Sequence, residues 1–293
     1  MQQPKAVCFG EVLWDIFPEG KKLGGAPLNV ALRMQSLGIA TSMISAVGED
    51  ALGDEIRKTI APEALTTFFQ KSSTYPTGTV QVTLDANKSA HYQIVAPVAW
   101  DYITVSAQIL EAVTTADCFV FGSLVTRNTV SKKTLLALLQ KAAFNVFDVN
   151  LRPPHYDYKA LIELMQQADF IKFNEEEIDE TCRYLGAEAG SIEEQIEFIS
   201  QHTQTRQICV TKGDKGAVYF QNHEWYTHSG YSVNVMDTVG AGDAFLATLL
   251  SGLLQKRDPQ QALSRACAMG ALVASKAGAN PSISEEDLQT FIG

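Results

Sequence analysis

Asn145-Val146-Phe147-Asp148-Val149-Asn150, a helical stretch near Lys159 to Gln167, then Phe170-Ile171-Lys172-Phe173-Asn174 with a helix beginning at Glu175: this alternation decides the fold. Short apolar runs separated by amphipathic helices imply a parallel sheet covered by helices on its faces. The rhythm extends in both directions. Upstream, Cys118-Phe119-Val120-Phe121-Gly122 reads as a strand and Lys132 to Ala143 as a helix. Downstream, a helix over about Ile192 to Gln201 precedes the strand Ile208-Cys209-Val210-Thr211. In such sheets ligands collect at the carboxyl ends of strands. The polar residues to examine are therefore Asp148, Asn150, Arg152, Asn174, Glu177, Thr211, Lys212 and Gly213.

The N-terminal part obeys the same logic. Ala6-Val7-Cys8-Phe9, ending at Gly10, reads as a strand buried on both faces. Glu11-Val12-Leu13-Trp14-Asp15-Ile16-Phe17 alternates and sets two acids among apolar neighbours. A buried unpaired carboxylate is costly, so Asp15 should face a polar partner or a cleft, an edge in solvent being the plainer alternative. In Leu23-Gly24-Gly25-Ala26-Pro27-Leu28-Asn29-Val30-Ala31, Pro27 suits a first helical turn and Gly38 closes the helix, with Val30, Met34 and Leu37 as its apolar stripe. Asn29 lies near that helix start, able to cap it or to bind a sugar hydroxyl. Ile44 to Gly48 makes another strand and leads into a helix to about Ile60. Between Tyr75 and Trp100 the pattern changes to a hairpin, Thr79 to Leu84 and His91 to Val95 about a turn at Asp85-Ala86-Asn87-Lys88. It reads as a small β appendage or an edge hairpin. The last part is helical, with Ala262 to Ala277 small enough for close packing against the sheet.

Composition narrows the class. A chain of 293 residues, 46% hydrophobic and 19% charged, suits a sizeable α/β core and not disorder. A net charge of −10 disfavours nucleic acid and anionic membrane as partners. Cys8, Cys118, Cys182, Cys209 and Cys267 are odd in number and widely spaced, which fits core thiols in a reducing compartment. Residues 1–5 are polar and lead straight into a strand, which reads as no secretory signal, and no apolar run is long enough to span a bilayer. The expected location is cytoplasmic.

The chemistry concentrates in Asp237-Thr238-Val239-Gly240-Ala241-Gly242-Asp243-Ala244-Phe245. Three small residues feed a helix whose first N–H groups have no internal partner, an arrangement that binds phosphate or another anion. Asp243 stands beside that hole, placed to take a proton from an attacking hydroxyl. A glycine-rich loop with an acidic first turn and no chemistry is the competing reading. Neither G-x-G-x-x-G after the first strand nor G-x-x-x-x-G-K-[ST] occurs, which excludes the usual dinucleotide and P-loop sites.

With these residues in place, the chain resembles the ribokinase-like (PfkB) sugar kinases essentially end to end, from Gly10 to Ser282, and the fructokinase branch most closely. The C-terminal signature is Asp237 to Phe245; the N-terminal one is Gly24 to Ala31 with Gly48-Glu49-Asp50-Ala51-Leu52-Gly53 behind it. The resemblance implies a three-layer α/β fold over residues 1–293 as a single domain, its mostly parallel sheet flanked by helices. A small β lid would be formed by segments of about 11–24 and 75–100. It implies Asp243 as catalytic base and Gly240, Ala241 and Gly242 as anion hole, with Asp15, Gly25 and Asn29 holding sugar hydroxyls. Asn174 and Glu177 match the N-x-x-E motif that organises Mg²⁺ and phosphates through water, and Thr211, Lys212 and Gly213 border the nucleotide. Asp237, the Val239 carbonyl, Gly278 and Ser282 match a monovalent-cation site, K⁺ in members that need one. The fructokinase leaning rests on Gly10 to Asp15, Leu23 to Pro27 and Asp148-Val149-Asn150-Leu151-Arg152-Pro153-Pro154, where Arg152 could meet a phosphate or substrate oxygen. Asp-x-Asn-x-Arg recurs in ketodeoxygluconate kinases, so it leaves the sugar open.

The implied reaction is transfer of the γ-phosphoryl group of MgATP to a primary hydroxyl of a free sugar, fructose first. Such chemistry asks mainly for alignment and charge stabilisation, so the pKa of Asp243 need not be raised. Ribose, ketodeoxygluconate or a nucleoside are rival acceptors. A sugar- or nucleotide-binding regulatory protein without turnover is the rival from another class, disfavoured by the intact Asp243 and its loop. Implied partners are the sugar, ATP and, through lid pairing common in the family, a second copy as a homodimer.

Overall fold

The computed structural model describes residues 3–84, 90–187 and 190–293. The expected turn at Asp85 to Lys88 lies outside the described residues. In chain order the strands are β1 (Lys5–Phe9), β2 (Leu13–Phe17), β3 (Gly20–Gly24), β4 (Ala40–Gly48), β5 (Thr66–Ser72), β6 (Gly78–Leu84), β7 (Ala90–Ile94), β8 (Cys118–Gly122), β9 (Asn145–Asp148), β10 (Phe170–Asn174), β11 (Gln207–Thr211), β12 (Ala217–Gln221) and β13 (Glu224–His228). The helices are α1 (Ala26–Ser36), α2 (Ala51–Ile60), α3 (Ala107–Thr114), α4 (Thr129–Leu139), α5 (Tyr158–Met165), α6 (Glu175–Tyr184), α7 (Ile192–Thr203), α8 (Ala241–Leu254), α9 (Pro259–Ala274) and α10 (Glu285–Ile292).

Nine strands form the main sheet in the order β13-β12-β11-β10-β9-β8-β1-β4-β5, parallel except at the β11–β12 and β12–β13 pairs. Strand alternation sends side chains to two cores. Val7, Phe9, Phe119, Phe121, Phe147, Ile171 and Phe173 meet α3 to α7 on one face. Ala6, Cys8, Val120, Val146, Phe170 and Cys209 meet α1, α2, α8 and α9 on the other. The result is the expected three-layer α/β arrangement. From β1 the chain builds outward to β4 and β5, then returns past β1 to continue from β8. The order therefore reverses between β1 and β8, and such a reversal opens a crevice at the strands' carboxyl ends.

The second sheet, β3-β2-β6-β7, stands on that side. The run Glu11 to Phe17 is not one strand: β2 starts at Leu13, because Gly10 and Glu11 carry the chain out of the main sheet first. Two contacts seat this sheet on the body, Trp14 Nε1 donating to Leu52 O at 3.1 Å and Lys21 Nζ meeting Glu55 at 2.6 Å. The small-residue stretch Ala262 to Ala277 packs on the sheet, as expected, but more on a neighbouring helix. α9 begins at Pro259, capped by Asp258, and packs chiefly against α8, meeting the sheet mainly at β12 and β13.

Candidate active site

The turn before α8 has the backbone that its small residues allow. Gly240 caps the helix at φ 78, and a Cβ there would lie 2.6 Å from Ala279, so only glycine fits both the left-handed geometry and the close approach. Ala241 N–H turns back to Thr238 O at 3.2 Å. The Gly242 and Asp243 amides have no acceptor among the described residues, which leaves them, at the positive end of α8, as donors for an anion.

Asp243 is half-buried at the first turn of α8. Asn29 Nδ2 donates to its Oδ2 at 2.7 Å, joining residues from opposite ends of the chain. Burial pushes the Asp243 carboxyl up to about 6, and the charge of Asp148 adds to this, against the pull of Asn29, Lys172 and Arg152. The chemistry does not require a raised carboxyl here, yet burial among other acids raises it.

Beneath the turn lies a pair that the sequence reading did not assign. Lys172 Nζ is 3.0 Å from Asp148 Oδ1, and both side chains are buried, at 8% and 5% exposure. They sit opposite one another in adjacent parallel strands. Burial pulls the Lys172 ammonium down, but Asp148, Glu177 and Asp243 outweigh it and hold the pKa above the usual lysine value. Asp148 Oδ2 has no partner among the described residues and borders a narrow cavity shared with Pro27, Val30, Gly122 and Asn150.

The N-x-x-E residues form a capping box on α6. Asn174 Oδ1 accepts from Glu177 N and Glu177 Oε2 accepts from Asn174 N, both at 2.8 Å, while Glu177 Oε1 accepts from Leu151 N at 2.9 Å. Glu177 is buried with both oxygens on backbone amides, so it also fixes the chain after β9 where Arg152 stands. Thr211 pairs with Asn174 in register, and Lys212 and Gly213 follow at the same edge, Gly213 exposed at φ 57. These residues converge at the carboxyl ends of β10 and β11, beside the turn.

On the other side, Asp15 of β2 is half-buried and pushed up to about 6 by burial, with Arg152 and Lys22 pulling down. A Cβ on Gly24 would come within 2.5 Å of Asp15 Oδ2, so the missing side chain makes room for that carboxylate. Gly25 starts α1 at φ 112. Glu11, 3% exposed, is raised by burial to about 7 and feels both Arg152 and Asp243. Arg152 itself is exposed at the rim, its Nη1 on Leu151 O at 3.0 Å, and its charge acts on Glu11, Asp15 and Asp243 alike. Arg152 thus acts both on Asp15 in the small sheet and on Asp243, which Asn29 holds at the main one.

Asp237 ties the turn to the C-terminal loop. Its Oδ1 accepts from Val239 N at 3.1 Å and its Oδ2 from Gly278 N at 3.0 Å, with Lys22 Nζ at 3.5 Å. Burial raises its pKa, but these donors bring it below the usual carboxylate value. Ser282 is exposed, and its carbonyl accepts from Lys276 Nζ at 3.1 Å. Val239, Gly278 and Asp237 are therefore together, with Ser282 on the same loop.

Residues 6–286 match the pfkB family carbohydrate kinase. The chain belongs to that family. Among its relatives, a sugar kinase of Pyrococcus horikoshii is 31% identical over 245 residues, covering 80% of this chain and 74% of that protein. A fructokinase of Escherichia coli is 28% identical over 303 residues, 94% of each chain. The crystal structure of the P. horikoshii sugar kinase superposes with a TM-score of 0.83 at 28% identity, covering 98% of this chain and 97% of the other. A fructokinase of Xylella fastidiosa with bound ATP shares the fold, with a TM-score of 0.86 at 24% identity over 99% and 98% of the two chains.

For this carbohydrate kinase, sequence reasoning passed over Lys172, Glu11, Lys22 and Asn280, and examined Asp148 without assigning it. One signal was available for the buried pair. Asp148 and Lys172 are opposite charges at matching places near the ends of consecutive apolar strands. No helix among the described residues is long and apolar enough to cross a membrane.

Proposed function

We propose that this sugar kinase transfers the γ-phosphoryl group of MgATP to a primary hydroxyl of a free sugar, with fructose the first candidate. The observation that carries the reading is the Asn29–Asp243 contact of 2.7 Å beside two amides without acceptors among the described residues. Asp243 accepts the hydrogen of the attacking hydroxyl. The Gly240-Ala241-Gly242 turn, through its free amides and the positive end of α8, holds the oxygens of the migrating group. Lys172 adds positive charge beneath that turn. Asp15, Arg152 and the remaining hydrogen-bonding positions of Asn29 orient the sugar, and Gly25 shapes its edge. Asn174, Thr211, Lys212 and Gly213 line the nucleotide side.

Mg²⁺ fits Asp148, whose Oδ2 is buried without a partner among the described residues; Glu177, with both oxygens already accepting from backbone amides, would act on the ion through water, and water and phosphate would complete the shell. Bound there, the ion would supply charge to the phosphate oxygens. A monovalent cation would be held by Asp237, the Val239 carbonyl, Gly278 and Ser282, adding charge below the turn. The four-stranded sheet serves as a lid on a single α/β domain, and its closure keeps water from the phosphoryl group.

The fructose preference is supported by the E. coli fructokinase, alignable over nearly the whole chain, and by Asp148 to Pro154. A panel of fructose, ribose, ketodeoxygluconate and nucleosides, read by coupled ADP formation, tests it. Highest kcat/KM on fructose is the expected result; a clear preference for another acceptor replaces the sugar but keeps the kinase. Sugar binding by calorimetry without ADP formation from any acceptor would favour a binding protein instead.

A further inference from the structure

Asn280 lies outside every role given above, yet it completes a hydrogen-bonded chain to the base. Its Nδ2 donates to Asn29 Oδ1 at 2.7 Å, while Asn29 Nδ2 donates to Asp243 Oδ2 at 2.7 Å. We infer that Asn280 is a positioning residue for phosphoryl transfer: by donating to Asn29 Oδ1 it fixes which end of that carboxamide faces Asp243. The inference rests on Asp243 being the base.

A carboxamide carries two donors at one end and an acceptor at the other. Facing an ionised Asp243, Asn29 presents its NH₂ unaided. Once Asp243 has accepted a hydrogen it can donate as well as accept, and the carboxamide oxygen would serve equally. Asn280 removes this freedom, because a flipped Asn29 would turn its NH₂ on the Asn280 donor. The base then returns to the same geometry after each turnover. The loop holding Asn280 is fixed by other means. Arg33 of α1 donates from Nη2 to Pro281 O at 2.8 Å, and Gly278 N donates to Asp237 Oδ2 at 3.0 Å. Asn29 and Arg33 are one helical turn apart, so α1 grips adjacent residues of the loop. Asn280 is itself exposed, and replacing it removes a hydrogen bond without opening the core.

The groups acting on Asp243 are Glu11 after β1, Asp148 on β9, Lys172 on β10, Arg152 at the rim and Asn29 on α1. Only the Asn29 contact changes if the carboxamide turns. Losing its donation disfavours the carboxylate and moves the acid limb of kcat/KM to higher pH.

The test compares N280K, N280A and N280D in the full chain with MgATP and whichever sugar the wild type turns over fastest, so a wrong guess at the sugar does not affect it. N280K keeps a donor, N280A removes it, and N280D offers only an acceptor, which draws the Asn29 NH₂ away from Asp243. The expected order of kcat is Lys above Ala above Asp. N280A should lose ~2–10-fold, the scale of one neutral hydrogen bond, and N280D more than about 10-fold, with ATP KM and melting temperature little changed. The acid limb should rise in N280A. A space-filling role predicts the reverse, with near-isosteric N280D the mildest change; that order, or wild-type kcat in all three, overturns the inference. A wild type that phosphorylates no sugar overturns this inference and the kinase reading together, whereas an active wild type with indifferent variants overturns this inference alone.

Discussion

Lys172 Nζ lies 3.0 Å from Asp148 Oδ1, and a Cβ built on Gly242 would lie 3.4 Å from the same ammonium. One buried cation thus serves both the carboxylate below it and the turn above. Breaking a buried pair by removing one partner typically costs about 3–5 kcal/mol, since the other charge is left uncompensated. Lys172→Met should therefore unfold at distinctly lower urea. It should also lower kcat by ~10²-fold, the usual scale for removing a preorganised charge from an anion site. Adding Asp148→Asn should restore most of the stability and none of the turnover. Recovery of turnover in the double variant would show that Lys172 matters only to folding.

Asp243→Asn keeps the shape of the side chain and can still bond to Asn29, but it cannot accept a hydrogen as a carboxylate does. We expect kcat to fall by ~10²–10⁴, the range for loss of a positioned base, with ATP affinity nearly unchanged. Single-turnover rates and nucleotide titrations on the same preparation separate the two effects. Near wild-type turnover would remove Asp243 from its role.

Burial pushes Glu11 up to about 7 and Asp15 and Asp243 up to about 6, into the range where activity is measured. Their folded pKa values lie above the unfolded ones, so the folded state binds more protons. Their contribution to stability is complete below the unfolded carboxyl range and is lost as pH rises through 6 to 7. Activity should have the opposite sign if Asp243 is the base, as proposed, because its protonated form cannot accept a hydrogen. Between pH 8 and about 5.5, melting temperature should rise while kcat/KM falls. Glu11→Gln should flatten the melting curve and raise the melting temperature at pH 8 by roughly 3 °C, what about 1 kcal/mol does in a chain of this length. A melting temperature that falls steadily over the same range would contradict the buried-acid assignment.

What could be read from the sequence follows where side-chain pattern and backbone demand coincide. Cys118–Gly122 and Phe170–Asn174 are continuous apolar runs, and their strands have the expected bounds. The antiparallel strands β12 and β13 and the edge strand β5 were not foreseen. Thr66–Ser72 mixes polar and apolar residues because β5 has the sheet on one side only, so its pattern is weak. The site was legible where a residue type is demanded by geometry, as at Gly240 with its left-handed φ beside Ala279. It was opaque where a role depends on a neighbour far along the chain. Asn29, Asp243 and Asn280 meet only after α1, α8 and the C-terminal loop have packed, and nothing local in the sequence marks Asn280. Lys172 was hidden for a related reason. In a strand of apolar residues a lysine usually extends its ammonium to solvent, and only the register with β9 shows that it ends on Asp148.

Gly24 offers a test of the sugar side that leaves the phosphate side untouched. An added methyl would sit 2.5 Å from Asp15 Oδ2 and 3.2 Å from Leu13 Cδ1. Gly24 is not held at positive φ, so Gly24→Ala strains no backbone and acts through the clash alone. Asp15 is the part able to move, since its half-buried carboxylate is the free end of its side chain. Displacing it would lose the proposed hydrogen bond between this charged group and the sugar, worth about 1.5–3 kcal/mol, so sugar KM should rise ~10–100-fold with ATP KM unchanged. Asp15→Asn should give a similar rise without the clash. If Gly24→Ala left sugar KM alone while Asp15→Asn raised it, the glycine would be a feature of the β2–β3 hairpin and not of the sugar site. If neither variant moved sugar KM, Asp15 would lose its place among the groups that hold the acceptor.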